Sequence, residues 1–187
     1  MEADDSGAPG RLAIVQDLAN SFDLRRGRDE LATAEDSARW LAIHGLVESV
    51  QGLAKTDLEQ LHELRAALRG LLLANNGQPE RCHDLDVLNA AIRRSGLRPR
   101  VTSDGSAHVE NPGHGFVFGL GEILIVVLDA IEDGTWGRLK ACPGDACNYA
   151  FYDRSRNRSR TWCSMDRCGS RSKMRAYRNR RSNGGSD

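Results

Sequence analysis

"CPGDACNYAFYDRSRNRSRTWCSMDRCGSRSKMRAYRNRR", residues 142–181, holds four of the five cysteines and eleven of the 26 Lys and Arg residues of a 187-residue chain. Cys142 and Cys147 are separated by four residues, as are Cys163 and Cys168, with fifteen between the pairs. Two short-spaced pairs at about that separation match a tetrahedral all-thiolate zinc site, in which each pair supplies two ligands from a tight turn. Four sulfurs leave no open position for water, so the site is structural rather than catalytic. Pro143 and Gly144 provide the first turn. Between the pairs, Tyr149, Phe151 and Asp153 alternate onto one side of a strand, "RSRNRS" suits a solvated turn, and Trp162 is placed to shield the metal. Gly169 would allow a sharp bend into a helix starting at Ser170, with Met174 and Tyr177 facing inward. Knuckle, hairpin, then a second pair at the start of a helix is a treble-clef-like order. A module this small buries too little apolar surface to stand alone, so zinc would supply much of its folding free energy.

The formal net charge is zero, but it is unevenly spread. From Arg138 to Arg181 there are thirteen Lys and Arg against Asp145, Asp153 and Asp166, so the basic C-terminal segment balances an acidic remainder. On a helix from Ser170, Arg171, Arg175 and Arg178 share a face, with Lys173 and Arg180 on its flank and Arg181 near the end. Charge runs are usually solvated faces, yet carboxylates to pair with these are almost absent after Asp166. Together with Arg154, Arg156, Arg158 and Arg160, they are candidates for holding phosphates and reading guanine edges.

Working back toward the N-terminus, the spacing of Leu12, Val15, Leu18, Ala19 and Phe22 predicts an amphipathic helix. Thr33 is a candidate N-cap for a second helix, with Glu35 and Asp36 in its first turn and Gly45 as its stop. In "TDLEQLHELRAALRGLLLANNG", Thr56 and Glu59 form a capping box. Leu58, Leu61, Leu64, Leu68, Leu71 and Leu72 give a broad apolar face, either core or interface. "HDLDVLNAAIRRSG" closes with Arg93, Arg94 and Gly96, as a helix end favours. Val101 and Val109 flank Asp104-Gly105, a hairpin signal. "FVFGLGEILIVVLDAIEDG" is ambiguous in period; its length favours a buried helix from about Gly121 to Glu132. The chain therefore reads as a frayed tail (1–10), a mainly helical domain with one hairpin (11–137), a zinc finger (138–182) and a short disordered tail (183–187).

The sequence shows no signal-peptide pattern, and its longest apolar run, Ile123 to Ile131, falls short of the roughly 20 residues a bilayer requires. The expectation is a cytoplasmic protein, whose cysteines bind metal rather than form disulfides. There is no Ser/His/Asp or Cys/His arrangement, phosphate loop or nucleotide fingerprint, so no enzyme is expected. Cys82 and the scattered histidines show no ligand spacing.

"WCSMDRCGSRSKMRAYRNRR" resembles the signature of the CGNR zinc-finger family, and "LANSFDLRRGRDELATAEDSARWLAIHGL" resembles the start of the ABATE domain that precedes it. The likeness continues through "LHELRAALRGLL", "LNAAI" and "VLDAIEDGTWGRLKACPGDAC". The resemblance implies a bacterial transcription regulator with a helical N-terminal domain and a DNA-binding treble-clef-like finger. It carries zinc onto Cys142, Cys147, Cys163 and Cys168, and the motif's final arginine onto Arg171. Ser170 stands where the family has Asn; either would N-cap the following helix. The expected function is zinc-dependent binding of double-stranded DNA with the finger helix in the major groove. The N-terminal domain would receive a small-molecule effector or mediate homodimerisation. Asn20, Asp23, Arg25 and Arg28 are candidate effector contacts, beside the plainer reading of capping and loop salt bridges. Two alternatives stand: an RNA-binding zinc module stacking bases on Tyr149, Tyr152 and Tyr177, and a thiol redox switch.

Overall fold

The computed structural model describes residues 7–48, 53–145 and 147–183, with 180–183 as backbone. In chain order the elements are α1 (Leu12–Asn20), β1 (Phe22–Asp23), β2 (Arg28–Asp29), α2 (Ala34–Ile43), α3 (Lys55–Ala74) and α4 (Cys82–Ser95). They continue as β3 (Arg98–Val101), β4 (Ala107–Glu110), α5 (Gly115–Glu132), β5 (Leu139–Ala141), β6 (Ala150–Tyr152) and α6 (Ser170–Asn183). The strands form three separate antiparallel pairs, β1 with β2, β3 with β4 and β5 with β6. The fold is mainly α.

Helix α3 is central, packing on α1, α2, α4 and β5, while α5 covers α1 and α4. Its leucine stripe faces inward: Leu61, Leu64, Leu68, Leu71 and Leu72 are all buried, which makes that face core and not an interface. Thr33 caps α2 as expected, accepting from the Asp36 N–H at 3.1 Å. Gly96 ends α4 at φ +70°, a conformation that side-chain-bearing residues avoid.

Three boundaries differ from expectation. Helix α1 ends at Asn20, so Phe22 falls in β1 and not on the helix. Helix α3 starts one residue before Thr56, and its free N-terminal donors are met from Asp57, whose carboxylate accepts from the Ala54 N–H at 2.9 Å. Thr56 and Glu59 thus lie inside the helix and form no capping box. Helix α5 starts at Gly115 instead of about Gly121. The "FVFGLG" stretch looked strand-like, but Gly119 is needed there for contact: a Cβ on it would lie 2.7 Å from the Leu46 carbonyl oxygen.

The core does not stop at the end of α5. Leu139, Ala141, Ala150 and Tyr152 of β5 and β6 are buried in the same apolar cluster as α1, α3 and α5. The hairpin of the cysteine-rich segment is therefore part of a shared interior. A second, smaller cluster holds Phe151 and the four clustered cysteines, with Trp162 packed against it.

Candidate metal centre and nucleic-acid interface

The first knuckle follows directly from β5. Cys142 donates its N–H to the Tyr149 carbonyl and Cys147 to that of Gly144, both at 3.0 Å, and Asn148 at φ +47° turns the chain into β6. The second pair sits on a wide turn. Ser164, in extended backbone, accepts from the Arg167 N–H, and its carbonyl receives both Cys168 at 3.0 Å and Gly169 at 3.2 Å. The bond to Gly169 spans five residues, a π-type turn of the kind found at functional sites. This turn runs unbroken into α6, so Ser164 is the cap; Ser170 is already helical and its hydroxyl donates to the Met165 carbonyl. The expectation that Ser170 caps the helix is thereby corrected. Gly169 makes no bend either: a Cβ there would meet Met165 Sδ at 2.3 Å and the Trp162 ring at 3.2 Å.

These turns bring the four cysteine sulfurs within 4.8 Å of one another, all buried and none in a disulfide. Cys147 lies 3.6 Å from Cys163 and from Cys168, and Cys163 lies 3.7 Å from Cys168. Zinc–sulfur bonds of about 2.3 Å in a tetrahedron require sulfur separations of about 3.8 Å. The residues fit zinc. Hydrogen bonds from Cys142 and Cys163 hold the Cys147 thiol far below its ordinary range. In return Cys147 pushes Cys142 up to about 11, and Cys142 and Cys147 push Cys163 higher still. Zinc is the cofactor this cluster fits, and Cys142, Cys147, Cys163 and Cys168 would hold it.

The loop between the pairs is organised by a buried ion pair. Lys140 Nζ lies 2.7 Å from Asp153 Oδ2, the two side chains being 6% and 0% exposed. The same ammonium donates to the Arg160 carbonyl at 3.1 Å, and Asp153 accepts from the N–H groups of Ser155 and Arg160 at 2.9 Å each. Burial would raise the Asp153 pKa, but Lys140 and Ser155 outweigh it and hold the carboxyl low. The arginine-bearing loop is thus a built turn; Arg156 and Arg158 are exposed on it.

Four side-chain amides fasten this finger to the helices. Asn75 donates to the carbonyls of Trp136 and Leu139 at 2.9 Å, and Asn76 to those of Ala141 and Thr161 at 2.8 Å. On the other strand, Asn20 exchanges two bonds with the Ala150 backbone at 3.0 and 2.8 Å, and Gln16 adds a third at 3.1 Å. In "ANNG" one Asn and the Gly suffice to stop a helix, so the surplus amide is the signal for these contacts that the sequence offers. Asn20→Ala leaves the buried Ala150 N–H unsatisfied and is expected to cost about 1–3 kcal/mol. Thermal unfolding should show a lower midpoint, with one zinc per chain retained.

Of the other candidate effector contacts, Asp23 accepts from the N–H groups of Arg25 and Arg26, and Arg28 lies exposed in β2, opposite Asp23. Burial works against the charge of Arg25, but Cys147, Cys168, Cys163 and Asp23 outweigh it and raise its pKa, so the β1–β2 turn lies within electrostatic reach of the metal centre. The hairpin is held from α3: Arg65 makes a two-pronged pair with Asp29 at 2.5 and 2.9 Å, and Arg69 donates to the carbonyls of Ala19 and Phe22. Neither arginine stood out in the sequence, because only the fold brings them to the turn. A cavity of about 970 Å³ opens elsewhere, between residues 45–48 and 111–118, lined by Leu46, Val47, Phe116 and Phe118 with His114 and Glu48.

The candidate nucleic-acid contacts divide into two groups. Arg171 donates to Cys168 Sγ at 3.6 Å and to the Arg167 carbonyl at 2.8 Å, and Arg160 stacks over Phe151 while donating to the Trp162 carbonyl. Arg154 reaches the Gly7 carbonyl, and Arg175 pairs with Asp145. Arg156, Arg158, Lys173 and Arg178 are exposed, and among the described residues no carboxylate pairs with Lys173 or Arg178. The side chains of Arg180 and Arg181 lie outside the described residues. Residues 173–179 are exposed on every side of α6; Met174 and Tyr177, expected to face inward, are 55% and 51% exposed. The first turns of α6 are held at the cysteine cluster, Arg171 on Cys168 Sγ and Arg175 on Asp145, while the face carrying Met174 and Tyr177 stays largely exposed.

Against known families, the ABATE model, described as "Putative stress-induced transcription regulator", matches residues 12–132, and the CGNR zinc finger matches residues 138–181. The chain belongs to the ABATE family. Its CGNR finger supplies the zinc site, and neither family is an enzyme family. No curated protein matches this ABATE chain. No described helix is long and apolar enough to cross a membrane.

Proposed function

We propose that this ABATE protein is a zinc-dependent, sequence-specific DNA-binding regulator acting in the bacterial cytoplasm. The observation that carries the reading is α6, a cationic helix exposed all round and anchored at one end on the zinc site. A helix this exposed gains little from core packing, and acidic partners for its charges are scarce among the described residues, so a polyanion is the surface that suits it. The helix would enter the major groove, with Lys173, Arg178 and the backbone-ordered Arg180 and Arg181 reaching bases or phosphates. Arg156 and Arg158 would hold the flanking backbone from their rigid loop. Arg171 and Arg160 brace the finger through Cys168 Sγ and the Phe151 ring, and Ser170 opens the helix close to the DNA. An effector would act through the ABATE body, where the cavity beside α5 offers more room than the Asn20, Asp23, Arg25 and Arg28 cluster.

Binding-site selection with and without a zinc chelator tests this directly: an enriched motif that disappears with the metal is expected, and tight binding without a motif would refute it. Lys173→Glu with Arg178→Glu is expected to weaken binding and flatten the log–log salt dependence by about two contacts, while zinc content stays at one per chain.

RNA is the second reading, favoured by the half-exposed Tyr149 and Tyr177. Tyr152, the third candidate for stacking, is buried and drops out. Competition between duplex DNA and RNA separates the two. A redox switch has burial against it, since all four sulfurs lie in the interior; zinc release by mild peroxide ahead of unfolding would revive it.

A further inference from the structure

We infer that β4 is the dimerisation edge of this protein and that its occupant is β4 of a second copy. The β3–β4 hairpin stands apart: none of its residues 98–110 is buried, and Val101 is 74% exposed. An isolated two-stranded hairpin is marginal in water and gains stability from a third strand.

The two edges are not equivalent. Thr102 donates to the Ser106 carbonyl, and the register pairs Arg100 with His108 and Arg98 with Glu110. Alternation then makes these three the hydrogen-bonded pairs, so the main-chain groups of Pro99 and Val101 face outward on β3, and those of Ala107 and Val109 face outward on β4. Pro99 has no N–H, which blunts the β3 edge in a way that natural sheets use against edge pairing. The β4 edge carries no such guard and presents intact donors and acceptors at both of its outward positions.

An antiparallel copy with its two-fold axis at Val109 satisfies this edge. Val109 exchanges both backbone bonds with Val109 of the second copy, and their β-branched side chains meet on one face. On the other face His108 falls opposite Glu110 of the second copy, twice by symmetry, which is a charge-complementary pairing. Arg100, already 3.1 Å from Glu110, flanks it. The interface places nothing on α6, so two fingers stay available.

The test is sedimentation equilibrium of the zinc-loaded full chain without nucleic acid, so its outcome is independent of what the finger binds. The wild-type chain and Val101→Pro, which alters the already blunted edge, are expected to be dimers. Val109→Pro removes an outward donor while sparing the β3–β4 ladder, and together with His108→Glu it should raise the dimer Kd at least tenfold, or by about 1.4 kcal/mol. Circular dichroism verifies that the variants fold. In a Cys82→Ser background, Val109→Cys should form a disulfide-linked dimer, because hydrogen-bonded pairs place their Cα atoms about 5.5 Å apart. His108→Cys should not. A wild-type chain that stays monomeric at about 100 µM, or a Val109→Pro chain that associates as tightly as wild type, would overturn the inference.

Discussion

Replacing Cys163 with serine is expected to destabilise the whole chain and not the finger alone. The substitution removes one of four thiolates and with it the site's hold on zinc, whose binding free energy in small fingers is itself folding free energy, about 10–16 kcal/mol. In a finger on a flexible tether that loss would remain local. Here β5 and β6 bury Leu139, Ala141, Ala150 and Tyr152 in the interior that α1, α3 and α5 share, and the asparagine clamps grip both strands. A metal-free finger that loosens therefore opens one side of the main core. Chelation or Cys163→Ser should lower the unfolding midpoint by more than about 10 °C, since each kcal/mol is worth roughly 2–4 °C at this size. Calorimetry decides the matter: an unchanged main transition, with only a separate small one lost, would show that the two modules unfold independently.

Asp153→Ala is expected to have the second-largest effect. It strands the Lys140 ammonium in the interior, and breaking a buried pair from one side costs about 3–5 kcal/mol. It also releases the Ser155 and Arg160 N–H groups, so Arg156 and Arg158 lose their fixed presentation even where zinc remains bound. Replacing Lys140 with Met as well should recover part of the stability, because no unpaired charge is left, but not the order of the loop. Denaturant unfolding of the four chains of that cycle measures the coupling.

The same carboxylate sets a pH dependence. A folded pKa below the unfolded value means stability that is full above about pH 4 and lost as the medium is acidified through the folded value. Asp29, which burial would raise but Arg65 and the Leu31 N–H hold low, adds to the same acid limb. Asp153→Asn should flatten that limb when stability is followed from pH 6 to pH 2.

Much of this could be read along the chain, for identifiable reasons. Helices α1 to α4 announce themselves because amphipathic spacing and terminal signals are local properties: Thr33 does cap α2 and Gly96 does end α4. The start of α5 was hidden because Gly119 and Gly121 weaken helix propensity, and their purpose lies in what approaches them, Leu46 and Asn111. The inward placement of Met174 and Tyr177 failed for the converse reason: an i, i+3 apolar pair sets only a spacing, and the folded path of the chain leaves that face about half exposed.

The sequence by itself determined which four cysteines converge, because two closely spaced pairs with soft sulfur donors carry the same chemistry through either kind of turn. It likewise determined that the cationic charge gathers around that site. Only the tertiary structure decided which of those cations find partners within the protein, because Asp145, Phe151, the Arg167 carbonyl and Cys168 Sγ engage Arg175, Arg160 and Arg171 through contacts that depend on the folded path of the chain. It alone decided, too, that Asn20 and Asn76, 56 positions apart in the chain, hold opposite strands of one finger.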